Sequence, residues 1–178
     1  MQKIRENLNF QTYFGIGFVL VLGTFSHFFY EWSGENRLVG IFAAVNESTW
    51  EHLKLLFFPA LLFWVSEWIF GKKKPNFLWS VFWGLFAGTA TIVVLFYTYS
   101  GVLGKNLAPI DILTFVVGVL VAFFVKLYAQ NGTPTARKRL AGGILLAVLL
   151  LCYLLFTAFP PHIGLFLDPV TGTYGFPV

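Results

Sequence analysis

Two residues near the end of the first apolar run have types and a spacing that suit chemistry. His27 and Glu31, in the stretch HFFYE, stand four positions apart, so a helix would present both side chains on one face. Pairs of metal ligands use this spacing, as does a base with the carboxylate that orients it. The structural alternative is a histidine at a helix C-terminus, where the helix dipole favours positive charge, beside a solvated glutamate.

The segment VNESTWEHLK, at residues 45–54, carries a second dense set of polar side chains. Ser48 followed three positions later by Glu51 predicts a capping box, in which each side chain bonds the other residue's backbone amide at a helix N-terminus. That structural interpretation does not explain Glu47, His52 or Lys54. If the helix begins slightly earlier, Glu47, Glu51 and Lys54 share a face and could form a salt-bridged surface. The alternative is that Glu47 and His52 belong to a functional site.

The C-terminal stretch PPHIGLFLDPVTG contributes a third set of polar residues. Asp168 precedes Pro169, and an aspartate in that position commonly starts a turn, which favours a structural role for it. His162 lies in the same irregular segment, and its position alone indicates no role.

Composition indicates that these residues belong to a membrane protein. The chain is 57% hydrophobic and only 11% charged, whereas soluble domains are about 25% charged. The net charge of +4 does not indicate a nucleic-acid-binding protein, because the basic residues lie between apolar runs, as in cytoplasmic loops. Cys152 is the only cysteine, which excludes an intramolecular disulfide and a cysteine-based zinc site.

The apolar runs predict an all-α fold, a single transmembrane domain over residues 1–178. Each run is long enough to cross a hydrocarbon core of about 30 Å, which takes about 20 helical residues. Gly84 and Gly88 form a GxxxG pattern in the third run, which allows another helix to approach closely. The five predicted spans cover residues 10–32, 48–70, 78–100, 110–129 and 140–159.

Basic residues predict the orientation of the bundle, with the N-terminus inside and the C-terminus outside. Nine of the twelve lysines and arginines fall on or near the inner side in this orientation, as the positive-inside rule requires. The tail, residues 160–178, is rich in proline and glycine and cannot continue a helix. Because it also carries apolar side chains, we expect it to pack over the outer mouth of the bundle as a lid.

In this orientation all three histidines and six of the eight acidic residues fall on the outer side. Ionisable groups at the rim of an apolar bundle usually face a cavity or one another. Histidine and carboxylate without cysteine suit zinc or another divalent metal. We therefore predict that His27, Glu31 and His52 bind a metal and that Glu47 or Glu51 accepts a proton. Other polar residues expected on this face are Asn46, Lys54, His162 and Asp168.

The stretches HFFYEW, VNESTWEHLK and FLDPVTGTYG resemble a family of small bacterial multi-pass membrane proteins with no assigned function. The resemblance covers most of the chain, and its most specific part is the NES-x-WEH-x-K stretch from Asn46 to Lys54. It implies the fold and an inner-membrane location. It implies no activity.

Three functions fit these observations. The leading hypothesis is a metal-dependent hydrolase that acts on a membrane-proximal substrate such as a lipid head group. The second is a small-molecule binding or transport subunit, although apolar mid-span residues weigh against ion coupling. The third is a structural or accessory scaffold. The expected partners are membrane lipid and either another membrane protein or a second copy of the chain, and nucleic acid is not expected.

Overall fold

The computed structural model describes residues 10–71, 74 and 76–177 of the chain. Within them the protein is all-helical, as predicted, and its only β-type pairing is one isolated bridge between Leu167 and Tyr174. Seven helices are described: α1 (Phe10–Ser26), α2 (Phe29–Trp32), α3 (Arg37–Phe42), α4 (Thr49–Phe70), α5 (Phe77–Leu103), α6 (Ala108–Gln130) and α7 (Ala136–Leu155).

Helices α4 to α7 are each long and apolar enough to cross a membrane. They contain 22, 27, 23 and 20 residues. At a rise of about 1.5 Å per residue, each therefore reaches about 30 Å or more. The predicted spans 48–70, 78–100, 110–129 and 140–159 each overlap one of these four helices.

The first predicted span, 10–32, is not one continuous helix. Helix α1 ends at Ser26 after 17 described residues, and a turn at residues 27–28 separates it from α2. The amide of Phe28 donates to the carbonyl of Phe25, three positions back, at 3.0 Å. This tightened bond ends the regular four-residue pattern, so residues on either side of the turn do not share a helix face.

The capping box predicted at the start of α4 is half formed. The hydroxyl of Ser48 accepts a hydrogen bond from the amide of Glu51 at 3.4 Å. The return bond is missing, because the amide of Ser48 instead donates to Asn46 Oδ1 at 2.9 Å. The carboxylate of Glu51 is thereby left to bond other groups.

The GxxxG pattern of α5 lies against α6, as the sequence predicts. A Cβ atom added at Gly88 would stand 2.6 Å from Ala122 Cβ and 2.8 Å from the carbonyl oxygen of Gly118. One added at Gly84 would stand 2.8 Å from the carbonyl oxygen of Ala122. The two backbones are therefore too close for a side chain at either glycine.

Substituting leucine at this contact should destabilise the bundle. We expect Gly88→Leu to lower the free energy of unfolding in detergent by roughly 1–3 kcal/mol, the usual cost of overpacking. Gly101→Leu in the same helix is the matched control, because no atom lies within 4 Å of a Cβ added there. Equal melting temperatures for the two variants would show that α5 and α6 do not meet at Gly88.

The C-terminal segment after α7 packs against the N-terminal end of α4. Phe166 is buried, and its ring centroid lies 4.8 Å from that of Trp50. The amide of Trp50 donates to the carbonyl of Leu165 at 3.0 Å, and Asn46 Nδ2 donates to the carbonyl of Gly175 at 2.7 Å. These hydrogen bonds fix the C-terminal segment to the start of α4 and to the loop that precedes it.

Candidate metal centre

Three side chains meet beside the N-terminal end of α4: His27, Glu47 and His52. One ligand atom from each lies within 4.8 Å of the others, near enough to hold a metal ion. The Nε2 atom of His27 is 3.6 Å from Glu47 Oε1, and the Nε2 atom of His52 is 3.5 Å from Glu47 Oε2. The carboxylate of Glu47 therefore faces both imidazole rings.

Each member of this histidine–glutamate group comes from a different kind of local structure. His27 stands in the turn that ends α1, Glu47 in the loop before α4, and His52 in the first turn of α4. The side chain of Asn46 orders the loop, because it accepts from the Ser48 amide and donates to the C-terminal segment. The end of one helix thus faces the beginning of another, with Glu47 between them.

A hydrogen bond orients the ring of His52. Its Nδ1 atom lies 3.0 Å from the carbonyl oxygen of Ser48. Because a carbonyl only accepts, Nδ1 carries the proton in the neutral ring, and Nε2 is left with a free lone pair. The lone pair that a metal would need therefore lies on the nitrogen that faces Glu47.

The environment of His27 favours its neutral form. Burial lowers the pKa of His27 below its ordinary value, the nearby His52 lowers it further, and the carboxylate of Glu47 raises it in part. The two rings lie 5.1 Å apart between centroids. A neutral imidazole is the form that binds a metal, so His27 does not require deprotonation near neutral pH.

Two of the separations within the group are close to those between ligands of one tetrahedral metal ion. Two ligands at about 2.0–2.1 Å from zinc in tetrahedral geometry lie about 3.3 Å from each other. His27 Nε2 lies 3.6 Å from Glu47 Oε1 and His52 Nε2 lies 3.5 Å from Glu47 Oε2, which are close to that value, and one ligand atom from each residue lies within 4.8 Å of the other two. Three protein ligands would leave a fourth position for water or substrate, which is the usual composition of a catalytic zinc site.

Acidification should destabilise the metal-free protein through His27. Its pKa is lower in the folded state, so the unfolded state takes up the proton first as the pH falls below the ordinary value of 6.5. The stability contributed by neutral His27 is therefore complete above that value and is lost as the pH falls toward the folded pKa. Melting temperatures between pH 7 and 5 should fall less in His27→Gln than in wild type, and a parallel fall would contradict this assignment.

Glu31, the carboxylate that the sequence pairs with His27, does not join the group. It lies in α2 and is exposed, beyond the turn at residues 27–28. The turn removes the helical four-residue relationship on which the prediction rests. Glu47, predicted as a proton acceptor, occupies the carboxylate position instead.

Glu51 is buried and forms an ion pair with Lys54. Lys54 Nζ lies 2.7 Å from Glu51 Oε2, with side-chain exposures of 0% and 2%. Glu51 also accepts from the amide of Val45 at 3.1 Å and from the hydroxyl of Thr157 at 3.1 Å. Both of its carboxylate oxygens are therefore engaged in holding the protein together.

Lys54 extends this ion pair to the segment around α3. Its ammonium donates to the carbonyl of Gly40 at 2.8 Å and to that of Ala43 at 3.2 Å. Together Glu51 and Lys54 join α4 to the end of α3, to the loop that follows α3, and to Thr157 after α7. We call these two residues the buried ion pair.

The remaining predicted residues lie in the C-terminal segment. Asp168 is buried, accepts from the amide of Val170 at 3.0 Å and from the hydroxyl of Thr171 at 2.6 Å, and so closes the turn that the sequence predicts. His162 is exposed, and its ring stacks on Tyr174 at 4.5 Å. Neither residue belongs to the group near enough to hold a metal.

A pocket of about 280 Å³ opens beside the histidine–glutamate group. Glu47 and His52 line it together with Asp111, which lies in the first turn of α6. The hydroxyl of Tyr99 donates to Asp111 and accepts from the amide of Leu107. Sequence reasoning missed Asp111, because an acidic residue in the first turn of a helix is common for reasons of stability alone.

Comparison with known proteins identifies a family. The sequence profile of a family described as a family of unknown function, DUF6512, matches residues 1–176. No curated protein and no solved structure matches the chain. The expectation of a family without an assigned activity is thereby confirmed, and the chain belongs to DUF6512, a family of unknown function.

Proposed function

We propose that this protein is a multi-pass membrane metalloprotein whose histidine–glutamate group binds a divalent metal such as zinc and hydrolyses a membrane-proximal substrate. The observation that carries the proposal is the meeting of one ligand atom each from His27, Glu47 and His52 within 4.8 Å. A clustered arrangement of this kind favours a metal enzyme over a scaffold, for which the polar groups would be splayed apart.

The proposed orientation puts the metal site on the outer face. The basic residues beside the N-terminal end of α5 and α7 would lie on the cytoplasmic side, following the positive-inside rule. The opposite end of the bundle, with the start of α4 and the C-terminal segment, then faces outward. Pro169 and Val170 of that segment line the pocket beside the metal site, so the segment would act as its lid.

The pocket suits the head group and the first carbons of an amphiphile. Its polar wall includes Glu47, His52 and Asp111, whereas its apolar wall includes Leu55 and Phe115. A lipid ester or phosphodiester has matching parts, because its hydrolysable polar group is attached to an apolar chain. This match supports a lipid-like substrate.

The chemistry would be divided between the metal and Asp111. A bound divalent cation lowers the pKa of a coordinated water, which makes that water a nucleophile near neutral pH. Asp111 lines the pocket as a second carboxylate besides the ligand Glu47, and the hydrogen bond from Tyr99 orients it. We assign to Asp111 the proton acceptance that the sequence suggested for Glu47 or Glu51.

The test compares head-group release by zinc-loaded wild type and Asp111→Asn in vesicles that contain ester and phosphodiester lipids. We expect zinc-dependent release by wild type and a loss of about 100-fold or more in the variant, with the zinc content unchanged. Equal rates would contradict the role of Asp111. No zinc-dependent release from any of these lipids, by protein shown to hold zinc, would contradict hydrolysis while leaving metal binding intact.

A further inference from the structure

A second pocket, of about 620 Å³, lies at the other end of α4 from the histidine–glutamate group. It is lined by Trp68 near the end of α4, by Lys74 before α5, by Phe77 at the start of α5, and by Ala136 and Arg139 in the first turn of α7. The pocket therefore combines aromatic rings with positive charge. Such a combination is typical of the level at which lipid head groups meet a membrane protein.

Among the residues that the structure describes, the charges beside this pocket do not cancel. Two lysines share the carboxylate of Glu67: Lys126 at 2.6 Å and Lys74, which lines the pocket, at 3.2 Å. Arg139 is exposed and adds a further positive charge beside the first amides of α7. An anionic group in the pocket would therefore meet an excess of positive charge as well as the positive end of the helix dipole.

An apolar groove of about 610 Å³ continues from this pocket along α7. Leu78, Ala136 and Arg139 line both spaces, so the two are contiguous. The groove runs past Gly143 as far as Ala147, which lies about 16 Å along the helix from Ala136. That length accommodates the upper part of an acyl chain.

We propose that the pocket and the groove together bind one anionic phospholipid, with its phosphate between Lys74 and Arg139 and one acyl chain along α7. Charge complementarity selects this occupant, because a second copy of the chain docked here would bring the same basic residues to the same place. In the orientation proposed above, this end faces the cytoplasmic leaflet, where anionic lipids attract basic residues near the membrane. The proposal does not depend on the metal site.

The test measures lipid binding to delipidated, full-length protein in detergent by native mass spectrometry. The probes are phosphatidylglycerol, phosphatidylcholine with matched acyl chains, and inorganic phosphate. We expect phosphatidylglycerol to bind more tightly than phosphatidylcholine and Arg139→Gln to weaken phosphatidylglycerol binding by roughly fivefold, the effect of one basic residue near the membrane surface. Arg137→Gln is the matched control, because Arg137 is also exposed but lines neither space.

A second variant tests the apolar groove separately. A Cβ atom at Gly143 would meet only Leu78, at an ordinary 3.5 Å, so Gly143→Leu should fold and fill the groove. We expect it to weaken the binding of both lipids and leave the response to inorganic phosphate unchanged. Equal binding of the two lipids, equal effects of Arg139→Gln and Arg137→Gln, or binding of inorganic phosphate as tight as that of phosphatidylglycerol would each overturn the proposal.

Discussion

Lys54→Met should lower the free energy of unfolding by roughly 3–5 kcal/mol. The change leaves the carboxylate of Glu51 buried without its countercharge, and an unpaired buried charge is expensive. It also removes the donor that satisfies the carbonyls of Gly40 and Ala43. Thermal or denaturant unfolding in a mild detergent measures the effect.

Two further variants separate charge burial from a general loss of a lysine. Lys105→Met removes an exposed lysine and should change stability by less than about 0.5 kcal/mol. Combining Glu51→Gln with Lys54→Met removes both charges, so the double variant should be more stable than Lys54→Met alone. If Lys54→Met and Lys105→Met have the same melting temperature, the buried ion pair does not hold these segments together.

His27→Ala should weaken zinc binding by at least about 100-fold, because losing even an outer-shell partner of a metal ligand costs about 10–100-fold. His52→Ala should have an effect of similar size, since each histidine supplies one of the three ligand atoms. Competition of the purified protein with a fluorescent zinc chelator measures the affinity. Both positions are partly exposed, so truncation removes little packing.

The third histidine provides the control for this prediction. His162 is exposed and stacks on Tyr174, away from the group near enough to hold a metal. We therefore expect His162→Ala to bind zinc as wild type does. If all three alanine variants lose affinity equally, zinc binds to exposed histidines in general and the histidine–glutamate group is not a defined site.

Features that depend on local rules could be predicted from the sequence. The Ser48 side chain caps α4, Asp168 closes a turn, and Gly84 and Gly88 admit a neighbouring helix, each as its local pattern indicates. The side chains of Ser48 and Asp168 bond groups only two or three residues away, and the glycines allow a close contact because they lack a side chain. Apolar run length likewise predicted the four long helices.

The composition of the candidate site could be predicted only in part, because it depends on contacts between distant segments. His27 and His52 are 25 positions apart, so no local pattern connects them. The spacing of His27 and Glu31 suggested that Glu31 supplies the carboxylate, but Glu31 lies beyond the turn at residues 27–28. The acidic residue that meets both rings, Glu47, lies in a loop without periodicity. Glu51 pairs with Lys54 three positions away, which a shared helix face allows, but its bond to Thr157, 106 positions away, could not be predicted from the sequence.

The metal content of the purified protein distinguishes a metal centre from a polar cluster that binds no metal. Plasma mass spectrometry should find about one equivalent of zinc in wild type purified without chelator and resupplied with zinc. Glu31→Ala should retain that metal, because Glu31 lies outside the group, whereas Glu47→Ala should lose most of it. No metal in the wild type, or equal losses in the two glutamate variants, would contradict a metal centre built from His27, Glu47 and His52.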